Sequence, residues 1–346
     1  MVRYEQNKDE FILEDYDRAK TFSDFMPAIA GVSGIPLWVY FVNRGQCVCS
    51  IGVNDKNNSI TEFMPANKAL LNVERLGFRT FVKAGGRCAE LYADKSTPKK
   101  LVSSNNRLTV CDTLEGFLSA EVTYTQLAWQ NIPALMRRLK LTNLGKETIE
   151  VNCTDGLAQI VPNGINDYQL KNVSNLSCAY SNAVYSNGLI KYQVEYTTAD
   201  HAKVSKNRGA NFYCSAASSG EKPFYIYDPD LVFGSDCALT RAEKLFSSTE
   251  EELRAANQAV VFKMATAFSM YDFKLAPGES AEIYSAVGSV KDEAKLSEVA
   301  SVFSGAEAFE REMRRSGRVI EEITKEIGIR TGDGLFDQSV RQSFAD

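Results

Sequence analysis

Leu37-Trp-Val-Tyr-Phe-Val42, then Asn43-Arg44-Gly45, then Gln46-Cys-Val-Cys-Ser-Ile51, is the stretch whose reading decides the fold. Six consecutive apolar residues of strand length, rich in β-branched and aromatic side chains, read as a strand covered on both faces. The three-residue loop that follows ends in glycine, which takes the left-handed conformation cheaply, so a hairpin is expected here.

Working outward, the period of two persists up to about residue 290. Residues 135–142 and 148–154 read as a second hairpin turning at Asn143-Leu-Gly-Lys-Glu147, with Ile149, Val151 and Cys153 on one face and Thr148, Glu150 and Asn152 on the other. Asn187-Gly188 precedes the alternation Ile190, Tyr192, Val194, Tyr196 and favours a type I′ turn. Residues 262–275 and 280–287 read as a last hairpin through Ala276-Pro-Gly-Glu279, where Pro presets one dihedral and Gly permits the next. About twelve or more strands exceed a seven-stranded immunoglobulin-type unit, so the expected fold is mainly β, one large antiparallel β-sandwich over residues 1–290.

Beyond residue 290 the period changes to 3.6. Leu296, Val299 and Phe303 form a short helical stripe broken at Ser304-Gly305, and Ser304-Gly-Ala-Glu307 has the spacing of a capping box that would start a long helix. Its narrow stripe is Phe309, Met313, Ile320, Ile323 and Ile327, with Gly328 placed to end it. A helix of about 23 residues would span roughly 35 Å, the proportions of a strut and not of a core helix. A further helix near Asp333 carries Phe336, Val340 and Phe344 on one face. Residues 291–346 are therefore expected to form C-terminal linker helices.

Composition sets the outer limits. The 346 residues are 44% hydrophobic and 24% charged, as in an ordinary globular chain. Thirty-nine basic against 44 acidic residues leave a net charge of -5, with no basic block to neutralise a phosphate backbone, so no nucleic-acid partner is expected. The polar start Met1-Val-Arg-Tyr-Glu-Gln-Asn-Lys-Asp-Glu lacks the apolar core of a secretory signal, and the longest uncharged apolar run, residues 35–42, is too short for a membrane span. A cytoplasmic location and no membrane partner follow as expectations. On that basis the eight scattered cysteines read as reduced thiols, and the sequons at Asn57, Asn152, Asn172 and Asn175 carry no meaning.

The residues by themselves offer little chemistry. A single histidine, His201, sits in a polar run without a nucleophile-elbow pattern, which disfavours a triad, a His-based metal site and a mutarotase-type site. Cys47 and Cys49 lie two apart, as if on one strand face, but no second pair stands at zinc-ligand spacing, so they read as small core side chains. Neither phosphate-loop pattern occurs. Tyr227-Asp-Pro-Asp230 reads as a loop and Glu250-Glu-Glu252 as a solvated helix N-terminus. Trp38, Trp129 and the tyrosines are able to stack on sugar rings, although in a β-rich chain such residues are more often core.

Three N-terminal stretches go further: Phe11-Ile-Leu-Glu-Asp-Tyr-Asp-Arg18, Thr21-Phe-Ser-Asp-Phe-Met-Pro-Ala-Ile-Ala-Gly31 and Gly34-Ile-Pro-Leu-Trp-Val-Tyr-Phe-Val-Asn-Arg-Gly-Gln46. With Glu62-Phe-Met-Pro-Ala66, Gly77-Phe-Arg-Thr-Phe81, Leu139-Lys-Leu-Thr-Asn-Leu-Gly-Lys-Glu-Thr-Ile149 and Gly334-Leu-Phe-Asp-Gln-Ser-Val-Arg-Gln-Ser-Phe-Ala-Asp346, the chain resembles the N-terminal part of family 94 glycoside phosphorylases, and within them the 1,2-β-oligoglucan phosphorylase branch, which is cellobiose phosphorylase-like. The resemblance implies a super-sandwich of the galactose-mutarotase-like kind, then a helical linker, an (α/α)6 catalytic barrel and a small β domain. It implies inverting phosphorolysis of β-glucosidic bonds to α-glucose 1-phosphate. Inorganic phosphate is then co-substrate, no cofactor is needed, and one barrel aspartate serves as general acid. That barrel would lie beyond Asp346, so no catalytic residue and no metal ligand is assigned here.

The expected role is thus the structural, dimerising and substrate-contacting portion of a β-glucan phosphorylase, working as a homodimer on β-glucan oligosaccharides. Candidate substrate contacts are loop groups expected to be exposed: Asn43, Arg44 and Gln46 at the first hairpin, and Trp129 with Gln130. The alternatives are a free-standing carbohydrate-binding or scaffold sandwich, and a complete enzyme of another type.

Overall fold

The alternating segments do form strands, and the computed structural model describes residues 2–5, 10–27, 34–128, 130–197, 202–303 and 305–345. In chain order the strands are β1 (Val2–Glu5), β2 (Glu10–Glu14), β3 (Ser23–Met26), β4 (Leu37–Val42), β5 (Val48–Val53), β6 (Phe78–Ala84), β7 (Arg87–Leu91), β8 (Lys100–Ser104), β9 (Arg107–Leu114), β10 (Leu118–Thr125), β11 (Ala134–Asn143), β12 (Ile149–Leu157), β13 (Ser181–Ser186), β14 (Leu189–Val194), β15 (Ala210–Ala217), β16 (Phe224–Ile226), β17 (Ala267–Leu275) and β18 (Ser280–Val290). The helices are α1 (Ala66–Leu76), α2 (Asp167–Asn172), α3 (Ser174–Tyr180), α4 (Asp230–Phe233), α5 (Glu243–Ser247), α6 (Glu250–Ala255), α7 (Leu296–Phe303), α8 (Ala306–Lys325) and α9 (Gly334–Ala345).

One layer is a ten-stranded sheet in the order β1-β2-β8-β9-β10-β11-β18-β15-β14-β13; the other combines a five-stranded sheet, β16-β17-β12-β6-β7, with a three-stranded one, β3-β4-β5. The strand pairings are antiparallel, and a single apolar cluster drawn from all three sheets, with Leu37, Val82 and Leu139 among its members, fills the space between the layers. The protein is a large antiparallel β-sandwich followed by helices.

The β4–β5 hairpin forms, but its connection has five residues, 43–47, and not the expected three, and Cys47 takes a positive φ of 69°. This twist separates the two cysteines that the spacing put on one face: Cys47 enters the inter-layer core, whereas Cys49 packs outward against α1. Burial pushes the Cys49 thiol up to about 12. The Asn187-Gly188 turn also forms, with φ of 53° and 80°, and joins β13 to β14.

Two expected hairpins are corrected. β11 pairs with β10 and β18 in the ten-stranded sheet, while β12 pairs with β6 and β17 in the opposite layer. Residues 143–147 therefore carry the chain from one layer to the other, and residues 276–279 do the same between β17 and β18. Alternation shows that a strand has an inner and an outer face; it does not show which sheet the strand joins. The two crossings lie side by side and clasp. The Asn143 N–H donates to the Glu279 carbonyl at 3.0 Å, Gly278 N–H donates to the Asn143 carbonyl at 2.9 Å, and the buried Asn143 carboxamide donates to the Leu275 and Glu147 carbonyls.

Helices cover the outer faces. α4, α5 and α6 pack on the five-stranded sheet around Phe81 and Phe268. The acidic run Glu250–Glu252 forms the first turn of α6 behind the Thr249 cap, and Asp228 closes the loop before α4 by accepting from Asp230 N–H at 3.0 Å. Leu296, Val299 and Phe303 of α7 bury against the outer face of the ten-stranded sheet.

The long helix is more than a strut. Phe309, Val319 and Ile320 are buried, the Arg138 guanidinium lies 5.4 Å from the Phe309 ring, and Asn106 donates to the Met313 carbonyl at 2.8 Å. Its position before the first turn is held by Gly305 without a side-chain cap, Ser304 lies outside the described residues, and the helix stops at Lys325, short of Gly328. Ile323 is exposed. In α9 Asp337 and Gln338 are buried; of the expected apolar face Phe336 is exposed, Val340 is half-buried and the Phe344 side chain lies outside the described residues.

Candidate functional site

The end of the β4–β5 hairpin is not an exposed loop. Residues 16–22 lie over it: the Asn43 carboxamide donates to the Tyr16 and Lys20 carbonyls at 2.8 and 3.2 Å and accepts from Phe22 N–H at 3.0 Å, and Tyr16 OH donates to the Gly45 carbonyl. Asn43 is fully buried at 0% exposure. Its donors and acceptors are spent on backbone, so it pins the N-terminal segment and has none left for a ligand. Arg44 is half-buried and donates to the Asn43 and Ala19 carbonyls at 2.6 and 3.4 Å.

Gln46 is likewise interior, at 2% exposure. Its Nε2 donates to Thr80 Oγ1 at 2.8 Å, its Oε1 accepts from Arg137 at 2.6 Å, and its carbonyl accepts from Tyr124 OH at 2.9 Å. Thr80 in turn donates to Asp155 Oδ1 at 2.6 Å. Arg137 on β11 and Asp155 on β12 face each other across the layers as a buried bidentate pair, and the guanidinium lies 5.1 Å from the Phe78 ring. Burial alone would lower the Arg137 pKa, but the Asp155 carboxylate reverses the sign and holds it above the ordinary arginine value. From the Asp155 carbonyl the polar chain continues through Tyr213 OH at 3.2 Å to Ser269 and Ser215.

Gln46 and Phe78 border a half-open cleft of about 250 Å3 that also takes in Glu74, Arg75, Arg79 and Glu90. Arg79 holds its wall. It donates to both Glu90 oxygens at 2.6 and 2.7 Å, and to the Leu239 and Thr240 carbonyls, with its guanidinium 4.9 Å from the Phe81 ring. Burial pushes the Glu90 carboxyl above its usual range against the pull of Arg79. Because both Glu90 oxygens are committed to Arg79, the cleft presents a fixed polar wall and not a free acid. Arg75, bonded to Asn72 at 2.6 Å, and Glu74, 3.0 Å from Lys95, form the more open rim. The cleft therefore offers donors and acceptors for a hydroxyl-rich ligand, with no nucleophile and base set against each other. Among the described residues, no three His, Cys, Asp or Glu side chains are grouped to hold a metal ion.

The remaining candidates lie elsewhere. Gln130 donates to Glu312 of α8 at 2.5 Å, and its carbonyl accepts from Ile35 N–H, so it ties the helix to the sandwich. Trp129 and His201 lie outside the described residues. Of the four expected contacts among the described residues, only Gln46 borders the cleft. Sequence reading missed Arg79, Arg137 and Asp155, although a signal existed. Arg137 has the same parity as the inward Leu135, Leu139 and Leu141, and Asp155 the same parity as Val151, Cys153 and Leu157. Opposite charges at inward positions of successive strands are the mark of a buried pair.

No protein-family model matches the chain, and no curated protein matches it in sequence. Among solved structures, a putative aldose 1-epimerase from Escherichia coli K12 is similar over 79% of this chain and 100% of its own length, at 12% identity and a TM-score of 0.38. A putative kojibiose phosphorylase from human microbiome is similar over 97% of this chain and 31% of its own, at 9% identity and a TM-score of 0.33. A polysaccharide lyase is similar over 75% of this chain and 33% of its own, at 12% identity and a TM-score of 0.39, so this chain spans about a third of the lyase and of the phosphorylase.

Proposed function

We propose that this chain is the sandwich-and-linker portion of an inverting β-glucan phosphorylase of the 1,2-β-oligoglucan or cellobiose type. In this reading the sandwich supplies scaffold, dimer contacts and substrate contacts near the active-site mouth, and the phosphate-dependent chemistry belongs to a following helical barrel. One observation carries it: two of the stretches on which the resemblance rests, residues 34–46 and 77–81, meet in space. Their contact is the Gln46–Thr80 hydrogen bond, 34 positions apart in sequence, and it stands at the edge of the polar cleft. Phosphate replaces the activated water of an inverting hydrolase, so such an enzyme needs one protein acid and not two.

The test is phosphorolysis. Incubated with β-1,2-gluco-oligosaccharides and phosphate, the 346-residue chain should release no α-glucose 1-phosphate, whereas the full product of its gene should release it. Release by the chain alone, or by neither protein, overturns the reading.

A further inference from the structure

The apolar core does not close at every edge of the sandwich. Where β2 and β8 of the ten-stranded sheet face β3 and β4 of the opposite layer, it opens into a half-open cavity of about 370 Å3. Leu13 and Leu101, cross-strand partners, form its floor together with Phe41 from the opposite layer, and all three are buried members of the inter-layer core. Phe11 and Ser103 are the neighbouring cross-strand pair on the same face. A cavity of this size, apolar with a few polar groups at its rim, has the character of a small-molecule site.

One charge lines it. Met26 of β3 points into the core, so Asp24, two residues earlier and the cross-strand partner of Phe41, has inward parity as well. Asp24 Oδ1 accepts from Phe25 N–H at 2.8 Å, and among the described residues no lysine or arginine lines the cavity. Beside the acid stands Phe22, 37% exposed, whose ring meets Phe41 edge-on with centroids 6.4 Å apart at 87°. From α9, Ser339 and Ser343 border the same space one turn apart. The Ser343 hydroxyl donates to the Ser339 carbonyl at 3.0 Å, so its oxygen is still able to accept.

The acid and the rings together select the occupant. An anion meets the Asp24 charge, and a neutral apolar body strips water from the carboxylate without replacing it. A polyol finds too few hydrogen-bond partners on a floor of leucine and phenylalanine. An organic ammonium meets both demands, because its apolar body covers the floor while its head pairs with the carboxylate and is attracted by an aromatic face.

We propose that this cavity binds an arylalkylammonium, its ring seated on Leu13, Phe41 and Leu101 and its cationic head held between Asp24 and Phe22. The site shares no lining residue with the polar cleft and does not rest on the phosphorylase reading.

Calorimetric titration of the 346-residue chain with 2-phenylethylammonium tests it, beside 2-phenylethanol, phenylacetate and ethylammonium, which in turn remove the charge, reverse it and remove the ring. The ammonium should bind about tenfold more tightly than the alcohol, and phenylacetate and ethylammonium should show no heat of binding. Asp24→Asn keeps the side-chain shape and should bring the ammonium down to the affinity of the alcohol. Phe22→Ala should weaken it severalfold, and Ser339→Trp should close the cavity to it. Asp24 and Ser339 are exposed, so their variants carry the test if Phe22→Ala fails to fold. No binding by the parent chain, equal affinities for ammonium and alcohol, or parental affinity in Asp24→Asn or Ser339→Trp overturns the proposal. Since neither glucan nor phosphate is present, failure here leaves the glucose 1-phosphate assay to judge the phosphorylase reading by itself.

Discussion

Inside the sandwich the apolar core between the layers is crossed by buried polar ties, whereas on its outer face the long helix buries a few apolar side chains with hydrogen bonds at their edge. Arg137 and Asp155 join β11 to β12, and Asn143 clasps the two crossings. α8 instead rests on Phe309, Val319 and Ile320, and α9 keeps Phe336 in solvent. The two modes respond differently to change. A buried charge pair is costly to break on one side and cheap to replace whole, while an apolar contact loses stability in proportion to the side chain removed.

The largest effect should come from the pair. Arg137→Ala leaves the Asp155 carboxylate buried without its counter-charge and should cost about 3–5 kcal/mol in urea unfolding. Replacing both partners, Arg137→Met with Asp155→Leu, should recover only part of that loss, because the buried Gln46 Oε1 and Thr80 hydroxyl lose their partners along with the pair. A single variant as stable as the parent would show that the layers are not tied there.

The helical half is tested by Phe309→Ala, which should cost about 3 kcal/mol by opening a cavity under α8, against less than about 0.5 kcal/mol for Phe336→Ala on α9. Phe309 is 0% exposed and Phe336 54%. Limited proteolysis should accordingly cut first between α8 and α9, at residues 326–333, and not at residue 290, where β18 runs on into buried α7. Equal costs for the two phenylalanines would erase the distinction between a helix that docks through its phenylalanine and one that leaves it in solvent.

The same contrast explains what the sequence revealed. Strands, their faces, the Asn187-Gly188 turn and the change of period near residue 290 were legible because each is written locally, in alternation or in one dipeptide. The crossings were not, since Asn143-Leu-Gly-Lys-Glu147 and Ala276-Pro-Gly-Glu279 suit a hairpin and a layer-to-layer connection equally well. Asn43 and Gln46 were misplaced for a related reason. Polar residues beside a turn read as solvent contacts, and only the path of residues 16–22 over that turn, a non-local fact, buries them. Arg79 stood inside a motif already singled out, but nothing local shows that it reaches Leu239 and Thr240.

The clasp at the crossings is expected to be worth less than the ion pair. Asn143→Ala removes two donors and the acceptor for Gly145 N–H, in a neutral group, and should cost about 2 kcal/mol. A cost as large as that of Arg137→Ala would make the crossings, and not the charge pair, the main tie between layers.

The smallest effect is local and depends on pH. Asp236 shapes the loop whose Leu239 and Thr240 carbonyls receive Arg79 at the cleft wall: its carboxylate accepts from the Thr240 hydroxyl, from Thr240 and Arg241 N–H at 2.7 and 2.9 Å, and from Ala238 N–H at 3.0 Å. These bonds, the Thr240 hydroxyl foremost, hold its pKa down to about 2. A carboxyl depressed in the folded state contributes stability that is fully present above its unfolded value, about 3.9, and is lost as pH falls through the folded one. Amide exchange at Thr240 and Arg241 should therefore lose protection, relative to the β-sheet amides of the same sample, as pH drops from about 4 to about 2. Asp236→Asn should show the weakened protection already at neutral pH and no further step on acidification. If parent and variant trace the same profile, the carboxylate is not what holds this wall of the cleft, and Arg79 with its two carbonyl partners must hold it unaided.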